Sequence, residues 1–376
     1  MSTVLQPVFA PIRAGFIGPS LHCGGGERWM IELAQATPSN QVQWMGTVIT
    51  QAWHDPVISR QLSELMPVNQ GGRTVFRGES RDCTLAAAVA ELALTSDVLV
   101  MWEVDAQICE LSRLFRQVVH VALRAARIRP EFTTAGQAFV AVGMSCMNAF
   151  APALRPQVEL IYPGINLRRC EPLRGRSEMR RAWNCGEDTL VVGYLGRISP
   201  EKNCLAVARA VHGLGPSALG VCYGARSFNA DEIMASMRAE AGDRIQFHGA
   251  VADVGSILHA IDVFMLPSFT EGCSLALLEA WAAGVPVVAT AVGLVAELPS
   301  EAGHLVEVVA PDASAQGLAN AVRAARGTSA VQRQMARTLV RERHSSEVMG
   351  RRWSHYLHRR LHVGGATNAE RKPSRE

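Results

Sequence analysis

The chain has 376 residues, room for two domains at roughly 150 residues each. Its 48% apolar and 19% charged content supplies a large core and rules out wholesale disorder. A formal net charge of +3 is too near neutral for a chain that grips nucleic acid by its phosphates.

The nine cysteines are odd in number and never spaced C-x-x-C, so neither a disulfide framework nor a zinc site is indicated and a reduced, cytoplasmic setting is expected. The stretch Met1 to Ile12 lacks the basic start and apolar run of a secretory signal. The longest apolar stretch, Cys273 to Ala296, is interrupted by Glu279, Gly284 and Pro286, which argues against a membrane span. Of the 37 basic residues, only Lys202 and Lys372 are lysines.

In chain order, short apolar runs alternate with segments of helical period, the pattern of parallel α/β units. Strands are expected over Arg13–Gly18, Val42–Ile49, Asp97–Trp102, Gln117–Ala122, Phe139–Gly143 and Val158–Tyr162. The theme returns over Leu190–Gly196, Ala218–Tyr223, Ile245–His248, Asp262–Leu266, Val285–Thr290 and His304–Val309. Most runs are continuously apolar, as when helices cover both faces of a sheet. Between the two sets, Pro163–Arg176 combines Pro, Gly and clustered charge, which reads as a linker. The expected architecture is α/β: two doubly wound, Rossmann-like domains, residues 1–165 and 166–345, facing across a cleft. Residues 346–376 form a terminal helix that packs back on the first domain, then a polar tail from Gly364. Trp353, Tyr356, Leu357 and Leu361 share one face of that helix, and Arg351, Arg352, Arg359 and Arg360 fall largely elsewhere. A solvated basic face is the plain reading; peripheral contact at the inner face of a membrane is the alternative.

Three loops at strand ends carry chemistry. In Pro267-Ser268-Phe269-Thr270-Glu271-Gly272-Cys273-Ser274-Leu275, a strand ends, a polar loop holds Glu271, and an apolar helix follows with Glu279 about two turns in. A carboxylate, a glycine permitting close approach and the free N–H groups of a helix start suit a sugar joined to a phosphate. In Gly196-Arg197-Ile198-Ser199-Pro200-Glu201-Lys202, two cations five residues apart can stabilise a departing diphosphate; taken alone, the stretch also reads as a solvated loop with a Glu201–Lys202 pair. Gly24-Gly25-Gly26 follows the first strand without the spacing of a dinucleotide fingerprint. His120 sits in an apolar strand, where a histidine is ordinarily a core residue.

The string from Asp262 through Pro267-Ser268, Glu271-Gly272, Glu279-Ala280 and Gly284-Val285-Pro286-Val287-Val288 to Gly293 and Glu297 resembles the retaining glycosyltransferases of family 4, which have the two-Rossmann GT-B fold. The resemblance is strong over about residues 188–345 and fainter before. It implies that, of the E-x7-E pair, Glu271 contacts the donor sugar and Glu279 the nucleotide ribose. It implies that Arg197 and Lys202 bind the diphosphate, and that Gly272, Cys273, Ser274 and Leu275 meet sugar and phosphate through their backbone. By the same resemblance Gly24 and Gly25 approach the donor phosphates, Val251 in His248–Asp253 lies where the base is held, and His120 stands beside the donor sugar. After Gly293 the chain has Leu294-Val295-Ala296 where relatives carry Gly-Val-Pro, and Pro163-Gly164-Ile165-Asn166 replaces their Asn-Gly-Val-Asp. Gly224-Ala225-Arg226 is a further candidate for the nucleotide pocket.

The activity expected is retaining transfer of a sugar from a nucleoside-diphosphate donor to an acceptor hydroxyl. No D-x-D sequence is present, so neither a metal nor another cofactor is expected. An epimerase or hydrolase of the same fold, or a non-catalytic sugar-nucleotide-binding partner of a transferase, are the alternatives. The acceptor stays open among lipid-linked glycans, polysaccharides and small molecules; Arg113, Arg116, Arg124, Arg127 and Arg129 would favour an anionic one or simply form a solvated face.

Overall fold

The computed structural model describes residues 10–21, 24–51, 55–102, 115, 117–123 and 137–366, without the side chains of 300, 301, 303 and 362–366. Cys23, Cys109 and the arginines 113, 116, 124, 127 and 129 lie outside the described residues.

The first half contains β1 (Ile12–Gly18), α1 (Gly25–Ala36), β2 (Val42–Ile49), α2 (Pro56–Ser63), β3 (Val68–Gln70), β4 (Arg73–Phe76), β5 (Glu79–Asp82), α3 (Leu85–Thr95), β6 (Val98–Trp102), β7 (Val118–Ala122), β8 (Gln137–Ala141), α4 (Met144–Asn148) and β9 (Val158–Leu160). Its sheet runs β5-β4-β3-β2-β1-β6-β7-β8-β9 among the described residues. The pairs from β3 to β9 are parallel, and apart from β3 their buried runs are the ones legible as strands. The doubly wound expectation needs one correction: β3, β4 and β5 form an antiparallel excursion at the sheet edge. Gly71 and Gly72, and then Arg77 and Gly78, take positive φ at its two reversals, the geometry of tight hairpin turns.

The second half contains α5 (Arg176–Ala182), β10 (Leu190–Leu195), α6 (Leu205–Leu214), β11 (Ala218–Tyr223), α7 (Ala230–Ala241), β12 (Ile245–His248), α8 (Val254–Ala260), β13 (Val263–Leu266), α9 (Leu275–Ala283), β14 (Val287–Thr290), β15 (Glu307–Val309), α10 (Ala315–Arg326), α11 (Ala330–Arg343) and α12 (Ser346–Ala366). Its sheet is β12-β11-β10-β13-β14-β15, parallel throughout. Both halves therefore show the Rossmann order in which the strand sequence reverses beside the first strand, and ligands of such sheets bind outside the strand carboxyl ends at that reversal. Here the reversals lie at β1/β6 and β10/β13.

The chain crosses between the halves twice, and the crossings are hydrogen-bonded to each other. Ile165 N donates to His344 O (2.9 Å) and Ser346 N to Ile165 O (2.8 Å). Gly164 is needed there, because a Cβ would lie 2.2 Å from Ser345 O. After the second crossing, α12 returns to the first half. Trp353, Tyr356 and Leu357 are buried in that half's core, with the Trp353 ring 5.7 Å from Trp29 of α1. Arg351, Arg352 and Arg359 are exposed, and Arg359 pairs with Glu159 at 2.7 Å. The helix continues to Ala366, past the point where a polar tail was expected from Gly364. Among the described residues, no helix is long and apolar enough to cross a membrane.

Candidate functional site

A cleft of about 290 Å³ opens between the halves, lined by the loops that follow β1, β10, β11, β12 and β13. Gly24 to Gly26 contribute from the first half; Gly196, Arg197, Lys202, Gly224, Val251 and the run Thr270 to Ala276, together with Glu279, contribute from the second. Segments far apart in sequence meet here because each follows a strand that ends at the same edge.

Lys202 donates to Glu271 Oε1 at 2.7 Å. The same oxygen accepts from the Ser268 hydroxyl at 2.7 Å, and Ser268 O in turn accepts from Thr290, which fixes the loop from below. The lysine side chain keeps 22% exposure and the carboxylate 9%, so the pair sits at the cleft wall and not in bulk solvent. The Glu201–Lys202 pair of the solvated-loop alternative does not form: Arg197 pairs with Glu201, at 2.9 Å. The Arg197 guanidinium helps hold the Glu201 carboxyl below its ordinary range. Arg197 Nε is buried without a hydrogen-bond partner among the described residues.

Helix α9 starts at Leu275 with Ser274 as its N-cap, and the Ser274 hydroxyl accepts from Leu277 N. One N–H of the helix start is thus satisfied internally; those nearer the loop face the cleft with the positive end of the helix dipole. Glu279 falls in the second turn of α9, somewhat nearer the helix start than its sequence spacing implied. It is buried, and burial pushes its carboxyl up from the ordinary range while Arg169 and Arg28 oppose that. Gly284 ends the helix at φ 75°, the left-handed region that favours glycine.

The first half reaches across to this loop at the start of α4. Ser145 donates to Glu271 O (3.0 Å), and Met144 N donates to Glu297 Oε1 (2.7 Å). The other Glu297 oxygen accepts from the Tyr162 hydroxyl at 2.5 Å. Gly143 is constrained by this approach, since a Cβ would lie 2.7 Å from Gly272 O. Glu297 therefore joins the two halves and fixes the backbone beside Glu271.

Toward the outer end, Tyr223 stacks on His248 with centroids 4.4 Å apart, and its hydroxyl accepts from Trp183 Nε1 at 2.8 Å. Tyr223, Gly224, Ala250, Val251 and Val254 supply a largely apolar stretch of the cleft lining. Asp253 is spent on capping α8 and pairing with Arg174, and Arg226 pairs with Asp231.

His120 is the expected site residue that is not among those lining the cleft. It lies in β7, three residues before the cleft-lining Leu123, buried and stacked on Phe139 at 5.5 Å. Its Nε2 has no hydrogen-bond partner among the described residues, and burial lowers its pKa to about 4, so the ring is neutral at pH 7. The linker supplies a site residue that reads in sequence only as linker charge: Arg169, which lines the cleft and contacts Glu279. Among the described residues, no group of three or more His, Cys, Asp or Glu could hold a metal ion.

Residues 189–325 match the family model "Glycosyl transferases group 1". Over 150 residues, 36% of this chain, the sequence is 31% identical to a D-inositol 3-phosphate glycosyltransferase of Mycobacterium marinum, of which the match covers 30%. A lipopolysaccharide core biosynthesis mannosyltransferase, LpsB of Rhizobium meliloti, is 31% identical over 37% of this chain and 42% of its own. The chain spans 30 to 42% of the length of these curated relatives. Whole-chain likeness comes from solved structures. Anabaena Alr3699/HepE in complex with UDP-glucose superposes with a TM-score of 0.75 at 18% identity, covering 93% of this chain and 100% of that one. The lipopolysaccharide glycosyltransferase WaaG gives 0.65 at 15% identity, over 91% and 98%. With its two Rossmann-like halves and these neighbours, the chain has the GT-B fold.

Proposed function

We propose that this protein is a retaining glycosyltransferase that moves a sugar from a nucleoside-diphosphate donor to an acceptor hydroxyl without a metal ion. The observation that carries the reading is the convergence of Lys202, Arg197, the α9 start and Glu271 on one cleft between two Rossmann-like halves. The second half holds the donor: the base against the wall of Tyr223, Gly224 and Val251, the ribose at Glu279, the diphosphate between Lys202, Arg197 and the backbone of Gly272 to Leu275, and the sugar at Glu271. The first half, with Gly24 and Gly25 nearest the phosphates, presents the acceptor. Anabaena HepE, solved with UDP and with UDP-glucose, and the relatives named as glycosyltransferases support this donor class.

The roles follow from charge. As the bond from the sugar C1 to the diphosphate breaks, its electron pair goes to the leaving phosphate oxygen. Lys202, Arg197 and the α9 dipole stabilise that charge, which supplies the positive potential a divalent ion contributes elsewhere. Glu271, held at Oε1 by Lys202 and Ser268, accepts hydrogen bonds from sugar hydroxyls. In the course that the resemblance implies, the acceptor oxygen bonds to C1 on the face that the diphosphate leaves, and its proton passes to the departing phosphate oxygen. Configuration at C1 is retained.

Calorimetric titration with UDP, GDP and ADP, each with and without EDTA, tests the donor site. One nucleotide should bind tightly and EDTA should leave its affinity unchanged. Glu271→Ala should abolish turnover while nucleoside-diphosphate affinity stays within a few-fold. Dependence of binding on an added divalent ion, or turnover unchanged in Glu271→Ala, overturns these assignments.

A further inference from the structure

One guanidinium nitrogen is shared by carboxylates from opposite halves of the molecule. Arg169 Nη1 donates to Glu32 Oε1 at 3.0 Å and to Glu279 Oε1 at 3.1 Å. Arg169 itself stands on the linker, in the 3-10 turn Leu167–Cys170. Glu32 belongs to α1, its side chain is 1% exposed, and its second oxygen accepts from Asn166 N at 2.9 Å. Glu279 belongs to α9 and lines the cleft, as does Arg169. A carboxylate this buried is stable only while its partner is in place, and removing the partner leaves it uncompensated. The bridge is thus the one contact among those described that joins α1, the linker and α9 through a single side chain, and it ends on a carboxylate in the donor cleft.

We propose that Arg169 is a positioning residue for donor recognition: it fixes the Glu279 carboxylate at the cleft wall for a hydroxyl pair on the donor's nucleoside and ties that placement to α1. The inference rests on the donor reading above, which puts the ribose at Glu279. It makes nucleoside recognition depend on the relative placement of the halves, since Glu32 moves with the first and Glu279 with the second. The guanidinium matters because the two N–H groups of its Nη1 serve both oxygens at once from a group that stays charged between two carboxylates.

The test measures affinity of the full-length chain for UDP and for 2′,3′-dideoxy-UDP, with thermal unfolding followed in parallel. The wild type should prefer UDP by about tenfold or more, the scale of hydrogen bonds to a charged group. Arg169→Met should lose about tenfold in UDP affinity and leave dideoxy-UDP affinity within twofold, so that the preference collapses. In a Glu279→Gln background the same substitution should cost less than twofold, because both act through one contact. Glu32→Gln, which keeps both cleft residues, should lower the preference by about threefold and carries the test if Arg169→Met does not fold. Equal losses for both nucleotides, or a preserved preference in Arg169→Met or Glu32→Gln, would overturn the positioning role while leaving the donor reading intact. Where the wild type binds GDP or ADP in place of UDP, the same comparison is made with the dideoxy form of that nucleotide; a wild type that binds its nucleotide and the dideoxy form equally removes the ribose from Glu279 and takes this inference with it.

Discussion

Lys202 is the residue at which stability and function should separate most cleanly. In this structure its ammonium neutralises Glu271, a carboxylate 9% exposed whose remaining side-chain hydrogen bond comes from Ser268. Lys202→Met removes the cation and leaves the carboxylate with one hydroxyl donor, at a cost on the order of 1–3 kcal/mol. For a chain of this size that is a fall in melting temperature of roughly a few degrees. The double variant Lys202→Met, Glu271→Gln removes the orphaned charge and keeps a group that can accept from Ser268, so most of the lost stability should return. Donor binding should not return with it, because the diphosphate has lost its cation: nucleoside-diphosphate affinity is expected to stay about tenfold or more below wild type in both variants. Lys202→Arg should fall between, since a guanidinium cannot pack end-on against a single carboxylate oxygen as a compact ammonium does. Calorimetric titration beside thermal unfolding reads both quantities. Recovery of nucleotide affinity together with stability in the double variant would refute the reasoning, as would unchanged affinity in Lys202→Met.

Three further outcomes follow from the fold. His120 and His344 are buried and both pKa values are lowered to about 4 from an ordinary 6.5, so below pH 6.5 the unfolded chain binds protons that the native state refuses. Stability should therefore be fully present above pH 6.5 and fall steadily toward pH 4, by up to about 3 kcal/mol per histidine; urea midpoints at pH 7.5, 5.5 and 4.5 check this, and His344→Gln should flatten the slope. Gly224 has φ 152° and a Cβ there would lie 1.9 Å from Gly196 O, so Gly224→Ala should force the loops after β10 and β11 apart, cost about 1–3 kcal/mol and weaken nucleotide binding in the same titration. Trp353→Ala should cost about 3–5 kcal/mol in denaturant unfolding and, by hydrogen exchange, loosen α12 and α1 ahead of the second half, because the ring is buried between them.

The parallel strands and the cleft were legible for a physical reason. A strand covered on both faces must be continuously apolar, and the chemistry of such sheets gathers where those runs end. Ala218–Tyr223 begins and ends where its apolar run does, and Val42–Ile49 and Ile245–His248 take their expected bounds although Gln43 and Gln246 interrupt them. The excursion β3–β5 is not legible because its strands are three or four residues long: β3 is buried but polar at Asn69 and Gln70, β4 is half-buried, and Glu79–Asp82 is polar and exposed throughout. Its signal is in the first turn, where Gly71-Gly72 is a dipeptide that two-residue hairpins favour; the second turn places Arg77, a residue outside that preference, at positive φ before Gly78. Side-chain partnerships were the least legible. Lys202 could have paired with the adjacent Glu201, and only the fold brings it to Glu271, 69 positions away. Arg169 looks like linker charge because the carboxylates it meets are 137 and 110 positions distant. His120 is a site residue only by the resemblance, and its strand sets the ring, buried, against Phe139.

The central claim is sugar transfer with retention, and it is tested most directly by incubating the purified chain with a panel of nucleoside-diphosphate sugars and cell extract as the acceptor source. Nucleoside-diphosphate release, product mass and the anomeric configuration of the product are followed together. The account predicts one preferred donor, release matched mole for mole by a glycoside whose anomeric configuration is that of the donor, and loss of both in Glu271→Ala. Release accompanied only by free sugar, or a glycoside of inverted configuration, would contradict it.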